Sequence, residues 1–231
     1  MITQEAFDRA HEGNLSDLDE LVAAGDTLAG WKLGLTSGSH RDAFGPGVRP
    51  FGYLLASRVL RSGATLWWDK VIETGVLESE LCFQIAADVT TTVDEFSVVA
   101  HLRAVAPAFE INQRRLGSNG DATGRIRDNL SNWGLAVGAP QSLPVDWDQS
   151  QVKVSALHNA DGVSTVTGAG HIDDHFSSIA CLANQLLRFD RCLLAGQWVI
   201  TGSYTRVEEP GPGLWSGDFG ALGRVHLRIE R

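Results

Sequence analysis

Period-two alternation recurs along this chain, and it constrains the fold more than any other feature. Val225, Leu227 and Ile229 alternate with Arg224, His226 and Arg228, as Trp31, Leu33 and Leu35 do with Lys32, Gly34 and Thr36. Successive side chains of a strand point to opposite faces, so each stretch reads as a strand with one buried face. "FGYLLASRVL", "VLESELCFQIA", "PAFEIN" and "QWVITGSYT" read the same way. Helical spacing is rarer. "SSIACLANQLLRF" places Ile179, Leu182, Leu186 and Phe189 on one helix face, and "TVDEFSVVAHLRAV" predicts another helix. "TQEAFDRAHEG" and "LSDLDELVAAG" predict two short ones, the second capped by Ser16 and stopped by Gly25. Many strands and few helices, outside a βαβ rhythm, predict an α+β fold around a rolled, mainly antiparallel sheet. Residues 1–29 form a small helical piece and residues 30–231 the β-roll domain.

Composition removes several classes of function. With 28 acidic and 19 basic side chains, a formal charge of −9 and no basic run longer than two, the chain lacks the footprint of a nucleic-acid or anionic-membrane surface. No run of about 18 apolar residues is present to cross a bilayer. The first twenty residues alternate polar and apolar with acids included, unlike a targeting peptide, which predicts a cytoplasmic protein. Cys82, Cys181 and Cys192 have apolar neighbours and no CxxC spacing, and read as reduced core thiols.

Against that background two carboxylates are out of place. In "VLESELCFQIA" the alternation sends Leu77, Leu81, Phe83 and Ile85 to one face and Glu78, Glu80, Cys82 and Gln84 to the other. The two acids then project side by side, about 7 Å apart along the strand. Like charges held that close raise each other's pKa or share a cation; an isolated pair is also common on a solvated strand face. Glu110 repeats the pattern, emerging from an apolar strand between Phe109 and Ile111 with Ala108 and Asn112 on its own face. Three carboxylates without a histidine at ligand spacing suit a hard, oxygen-preferring ion, Mg²⁺ or Mn²⁺, and disfavour zinc. Lys32 reads either as a solvated strand lysine or as a ligand contact, since it shares its face with Gly34 and Thr36, which leaves space beside it.

"GWKLGLTS", "FGYLL", "LESELCF", "PAFEIN", "DNLSNWGLAVG", "TGAG", "ITGSYT" and "GDFGALGRV" occur in an order and spacing that resembles the 2-keto-4-pentenoate hydratases and 4-oxalocrotonate decarboxylases of the fumarylacetoacetate hydrolase superfamily. The resemblance runs from about residue 30 to the end of the chain. It implies a β core of the fumarylacetoacetate hydrolase C-terminal-domain type in a homo-oligomer. It also implies metal-ligand roles for Glu78, Glu80 and Glu110 and a catalytic or substrate-orienting role for Lys32. Thr36, Gln84, Ser203 and Thr205 are the expected substrate contacts, although Ser203 and Thr205 sit in a segment whose composition also suits an ordinary turn.

The chemistry so implied acts on a 2-hydroxydienoate or 2-oxo acid, whose carboxylate and C2 oxygen chelate a divalent ion. Addition of water to a 2-keto-4-pentenoate-like acid, giving a 4-hydroxy-2-oxo acid, is the leading expectation. Decarboxylation of a 4-oxalocrotonate-like diacid is the alternative, and acylpyruvate hydrolysis or a catalytically silent homologue are further readings. Three positions depart from the family pattern: Pro50 replaces an acid before the Phe-Gly of "RPFGYLL", Gly124 replaces an aspartate, and "HIDDHF" stands where a "GHP" follows "TGAG". His40, Asp42 and His171 are the nearby groups that can stand in for the missing acid, and otherwise they are ordinary loop residues. "RRLGSNGDATGRIRDN" reads as a flexible loop whose Arg114, Arg115, Arg125 and Arg127 reach substrate if it closes as a lid, and otherwise stay solvated or meet another subunit.

Overall fold

A computed structural model describes residues 1–68, 74–113 and 120–231. Twelve strands are described. β1 (Leu28–Leu33), β2 (Phe51–Leu55), β3 (Val59–Arg61), β5 (Gly75–Ile85), β6 (Leu102–Gln113), β7 (Asn132–Val137) and β10 (Trp198–Glu208) form one sheet, in the order β2-β1-β10-β5-β6-β7-β3. β4 (Ala64–Trp67), β8 (Lys153–His158), β9 (Asp161–Thr167), β11 (Gly213–Asp218) and β12 (Arg224–Glu230) form a second, in the order β4-β12-β11-β8-β9. Only β1/β10, β12/β4 and β3/β7 pair in parallel among the described strands, so the antiparallel expectation stands. β2 and β3 lie at opposite edges of the larger sheet yet are joined by a single 3₁₀ turn at Ala56–Arg58, and β2 packs against β7. The sheet is therefore rolled on itself.

The roll has two different faces. Its outer face carries Trp31, Leu77, Leu81, Phe83 and Ile85, which meet Trp215, Val225, Leu227 and Ile229 of the second sheet and Ile179, Leu182 and Leu186 of a helix in one core. Inside, Leu54, Cys82, Ala108, Leu135 and Ile200 form a small apolar floor, each at most 1% exposed. Above that floor stand the charged residues of β1, β5 and β6. β1 comes close to β10 at Gly30, where an added Cβ would lie 1.9 Å from the Trp198 carbonyl oxygen. Gly30→Ala should accordingly lower the free energy of unfolding by about 2 to 3 kcal/mol through overpacking, read from denaturant melts; an unchanged midpoint would mean that β1 can move off β10 freely.

Among the described residues three helices are delimited beside the sheets: α1 (Gln4–Ala23), α2 (Ala122–Arg127) and α3 (His175–Arg188). No helix is long and apolar enough to cross a membrane among the described residues. Two expectations need correction. The N-terminal segment is one helix capped by Thr3, with Ser16 in its interior; Gly25 does end it, at φ +106°. Gly13, inside this helix, makes room for Arg127, whose guanidinium would lie 1.5 Å from an added Cβ. The helix expected over residues 92–105 is a 3₁₀ turn at Val98–His101 that leads straight into β6. β6 runs antiparallel to β5 along nearly its whole length, and that pairing overrides a weak local helical pattern. The β8–β9 hairpin, not anticipated from the sequence, supplies an edge of the second sheet.

Candidate active site

Strand pairing brings the acids together. Glu78 on β5 is the direct cross-strand partner of Glu110 on β6, and Glu80 lies two residues further along the same face of β5. One oxygen from each of the three carboxylates falls within 4.8 Å of the others. All are buried, with relative exposures of 8, 3 and 1% for Glu78, Glu80 and Glu110. They line a cavity of about 380 Å³ together with Lys32, Thr36, Ser203, Arg206 and Arg125.

Each carboxylate has its own partners. Lys32 Nζ donates to Glu110 Oε1, which also accepts from Asn132 Nδ2 at 2.7 Å. Glu78 accepts from Asn112 Nδ2 at 2.7 Å, Arg206 Nη1 at 2.5 Å and Ser203 Oγ at 3.3 Å. Glu80 accepts the backbone N–H of Gly202 at 2.9 Å. The protonation pattern follows. Burial, then the neighbouring Glu110, pushes Glu78 up despite the Arg206 guanidinium. Burial, then Glu110 and Glu78, pushes Glu80 well above the usual carboxylate range. Burial pulls Glu110 the same way, but the Lys32 ammonium and the hydrogen bonds from Lys32 and Asn132 outweigh it and leave Glu110 below its ordinary value. Three acids crowded around a shared space, two of them with their pKa pushed up, are a donor set short of positive charge. A hard divalent ion accepting one oxygen from each supplies that charge, so the residues fit Mg²⁺.

The structure brings six of the eight expected site residues to this cavity: Lys32, Thr36, Glu78, Glu80, Glu110 and Ser203. Thr36 Oγ1 is already committed to the Thr201 carbonyl at 2.5 Å. Thr205 and Gln84 stand elsewhere. β10 has register shifts on both sides of Ser203, so that Ser203 opposes Glu80, Thr205 opposes Ser79 and Arg206 opposes Glu78. The extra residue turns Thr205 to the outer face, where its hydroxyl donates to Ser79 Oγ at 2.6 Å, and puts Arg206 into the cavity instead. Gln84 shares the face of Glu80 but lies below it past Cys82, and accepts from Arg103. Arg206, Asn112 and Asn132 are therefore site residues without an assigned role in the sequence reading. Gly202, at φ +140° inside a strand, is the signal that marks the bulge.

Of the groups near the missing acid, His40 lines the cavity, Asp42 pairs with Arg49, and His171 is hydrogen-bonded to the Ser203 carbonyl at 3.2 Å. Pro50 is buried and its carbonyl accepts the Gly34 N–H at 2.7 Å. Gly124 lies in α2. From the lid segment, Arg125 lines the cavity and Arg127 pairs with Asp17 outside it, whereas Arg114 and Arg115 lie outside the described residues.

Comparison with known proteins finds relatives for the chain. No protein-family model matches the chain. The 2-oxo-hept-4-ene-1,7-dioate hydratase of Escherichia coli is 30% identical over 226 residues, covering 90% of this chain and 81% of the relative. A 2-keto-4-pentenoate hydratase of Burkholderia vietnamiensis is 25% identical over 87% of this chain and 78% of its own length. Among solved structures, the 4-oxalocrotonate decarboxylase from Pseudomonas putida G7, complexed with magnesium and adipate, superposes with a TM-score of 0.88 at 23% identity, covering 97% of this chain and 86% of that one. The chain belongs to the 2-keto-4-pentenoate hydratase and 4-oxalocrotonate decarboxylase family.

Proposed function

We propose that the protein is a divalent-metal-dependent lyase that adds water to a 2-hydroxydienoate or 2-oxo acid resembling 2-keto-4-pentenoate. One observation carries this reading: Glu78, Glu80 and Glu110 converge in a buried cavity beside Lys32. In it, Glu78, Glu80 and Glu110 would hold Mg²⁺ or Mn²⁺, which would supply Lewis-acid polarisation to a 2-oxo acid. Lys32, on the β1 wall, offers an ammonium to the oxygen that becomes negative as the enolate forms. Arg206 and Ser203, on β10, orient the carboxylate end. Leu54, Cys82, Ala108, Leu135 and Ile200 close the bottom of the roll and keep bulk water from that side. Residues 30–231 are the catalytic unit in this reading, and a homo-oligomer is the proposed assembly.

Loss of CO₂ from an oxo-diacid is the second reading. Pro50 occupies the position of the expected acid and its carbonyl is used to hold Gly34, so that position supplies no proton transfer. An acid is expected there in hydratases and decarboxylases alike, so its loss favours a catalytically silent homologue over either.

Product analysis with Mg²⁺-loaded protein decides between them: a 4-hydroxy-2-oxo acid from 2-hydroxy-2,4-pentadienoate, or CO₂ from 4-oxalocrotonate. Lys32→Met should lower kcat for whichever substrate turns over by about a hundredfold, measured on variant shown to be folded by its thermal melt. Oxalate or pyruvate bound without turnover of either substrate would instead show a catalytically silent homologue.

A further inference from the structure

His175 is absent from the proposed chemistry, yet it is 1% exposed and hydrogen-bonded at both ring nitrogens. Nδ1 is 2.7 Å from Thr201 Oγ1 and Nε2 is 2.8 Å from the Tyr204 hydroxyl. Thr201 and Tyr204 are three apart on β10, and side chains three apart on a regular strand point to opposite faces. They meet one imidazole because the two register shifts between them add residues to β10 relative to β5. The residues they enclose are Gly202, whose N–H is donated to Glu80, and Ser203, which faces Glu78.

We propose that His175 is a positioning residue: from behind the sheet it clamps the bulged stretch of β10 and so aims Gly202, Ser203 and Arg206 at the carboxylate trio. A bulge leaves ladder groups unpaired and bends its strand, so it keeps one shape only where neighbours hold it. The clamp stands on a rigid base. His175 opens the 14-residue α3, its N–H is donated to Gln149 Oε1 at 2.9 Å, and its ring packs 5.4 Å from that of Phe83. Burial keeps the imidazole neutral, with a pKa near 4, so one nitrogen donates and the other accepts; hydroxyls satisfy either order. Thr36 grips the same stretch from the cavity side through the Thr201 carbonyl.

The inference rests on the reading of Glu78, Glu80 and Glu110 as metal ligands, and its test separates the two. Mn²⁺ binding is titrated by electron paramagnetic resonance for wild type, His175→Phe, Tyr204→Phe and the double variant, alongside thermal melts and, where a substrate is turned over, kcat and KM. Wild type that fails to bind Mn²⁺ overturns the ligand reading and the clamp with it. With wild type binding, the clamp predicts Mn²⁺ affinity lowered by about tenfold or more in His175→Phe. Tyr204→Phe should lose about threefold, and the double variant no more than His175→Phe alone. A structural role alone would reduce the folded fraction while leaving the Kd of the folded protein unchanged. Folded variants whose Mn²⁺ Kd stays within twofold of wild type overturn the clamp, and should His175→Phe not fold, Tyr204→Phe and Thr201→Val decide by the same criterion.

Discussion

Glu80→Gln should abolish metal-supported turnover, by about a thousandfold or more, while leaving the ion-free protein at least as stable as wild type. Both halves follow from the same burial. Glu80 is 3% exposed and faces two other carboxylates, so in the ion-free protein burial and then Glu110 and Glu78 push its pKa well above the usual carboxylate range. A folded-state pKa above the unfolded one means that the folded chain binds the extra proton. The resulting stability is full below the ordinary carboxylate range and is lost as pH rises through the raised value. Gln presents the same shape, keeps an acceptor for the Gly202 N–H, and has no proton to lose. The ion-free variant should therefore gain on wild type as pH rises. Added Mg²⁺ should reverse the ranking, because a ligand bound only to the folded state stabilises it by about 3 kcal/mol at a hundredfold excess over Kd. Denaturant melts with and without Mg²⁺ read both effects. A variant that loses several kcal/mol without the ion and binds Mg²⁺ as well as wild type would make Glu80 a structural residue.

Much of the site was legible because strand periodicity is rigid. Once "VLESELCFQIA" and "PAFEIN" are strands, Glu78, Glu80 and Glu110 have no choice of face, and each sits where an apolar residue would be expected. Lys32 was readable on the same ground. What failed was the assumption that periodicity continues unbroken. β10 departs from it around Ser203, which removed Thr205 from the cavity and admitted Arg206. Gln84 failed for another reason: its face was right, but the distance along β5 leaves Cys82 and the apolar floor between it and the acids. His175 carries no periodic signal, because its role comes from contacts with two residues of another element. The single helix α1 was hidden by Gly13, a poor helix former locally whose missing side chain is used by Arg127 more than a hundred positions away. Long-range contacts of that kind leave no trace in a local window.

His11 gives the second large effect, and it lies in acid. The ring is fully buried between Phe7 at 4.2 Å and Phe51 at 4.1 Å, with Phe189 at 5.7 Å. Its Nε2 accepts the Phe51 N–H at 3.1 Å, so that nitrogen carries no proton and Nδ1 donates to the Phe7 carbonyl at 2.9 Å. This arrangement anchors α1 to β2 and admits only the neutral ring. Burial pulls the pKa down to about 4, against opposing pulls from the Phe7 carbonyl and then from Asp8, which is itself paired with Arg188. The unfolded chain binds a proton near pH 6.5 that the folded chain refuses until about pH 4, so stability is full above 6.5 and is lost as pH falls toward 4. The loss reaches about 2.5 kcal/mol near pH 4.5. Glu78 and Glu80 titrate in the opposite sense over part of this range, so the clean measurement is a difference between wild type and His11→Met. Near pH 7.5 the variant should be less stable by about 2 kcal/mol, for two lost hydrogen bonds and an orphaned Phe51 N–H. By about pH 4.5 that deficit should vanish or change sign, since Met has no charge to refuse. A deficit constant across the range would mean that the imidazole takes its proton in place, and that water or a shift of α1 reaches it in the folded protein.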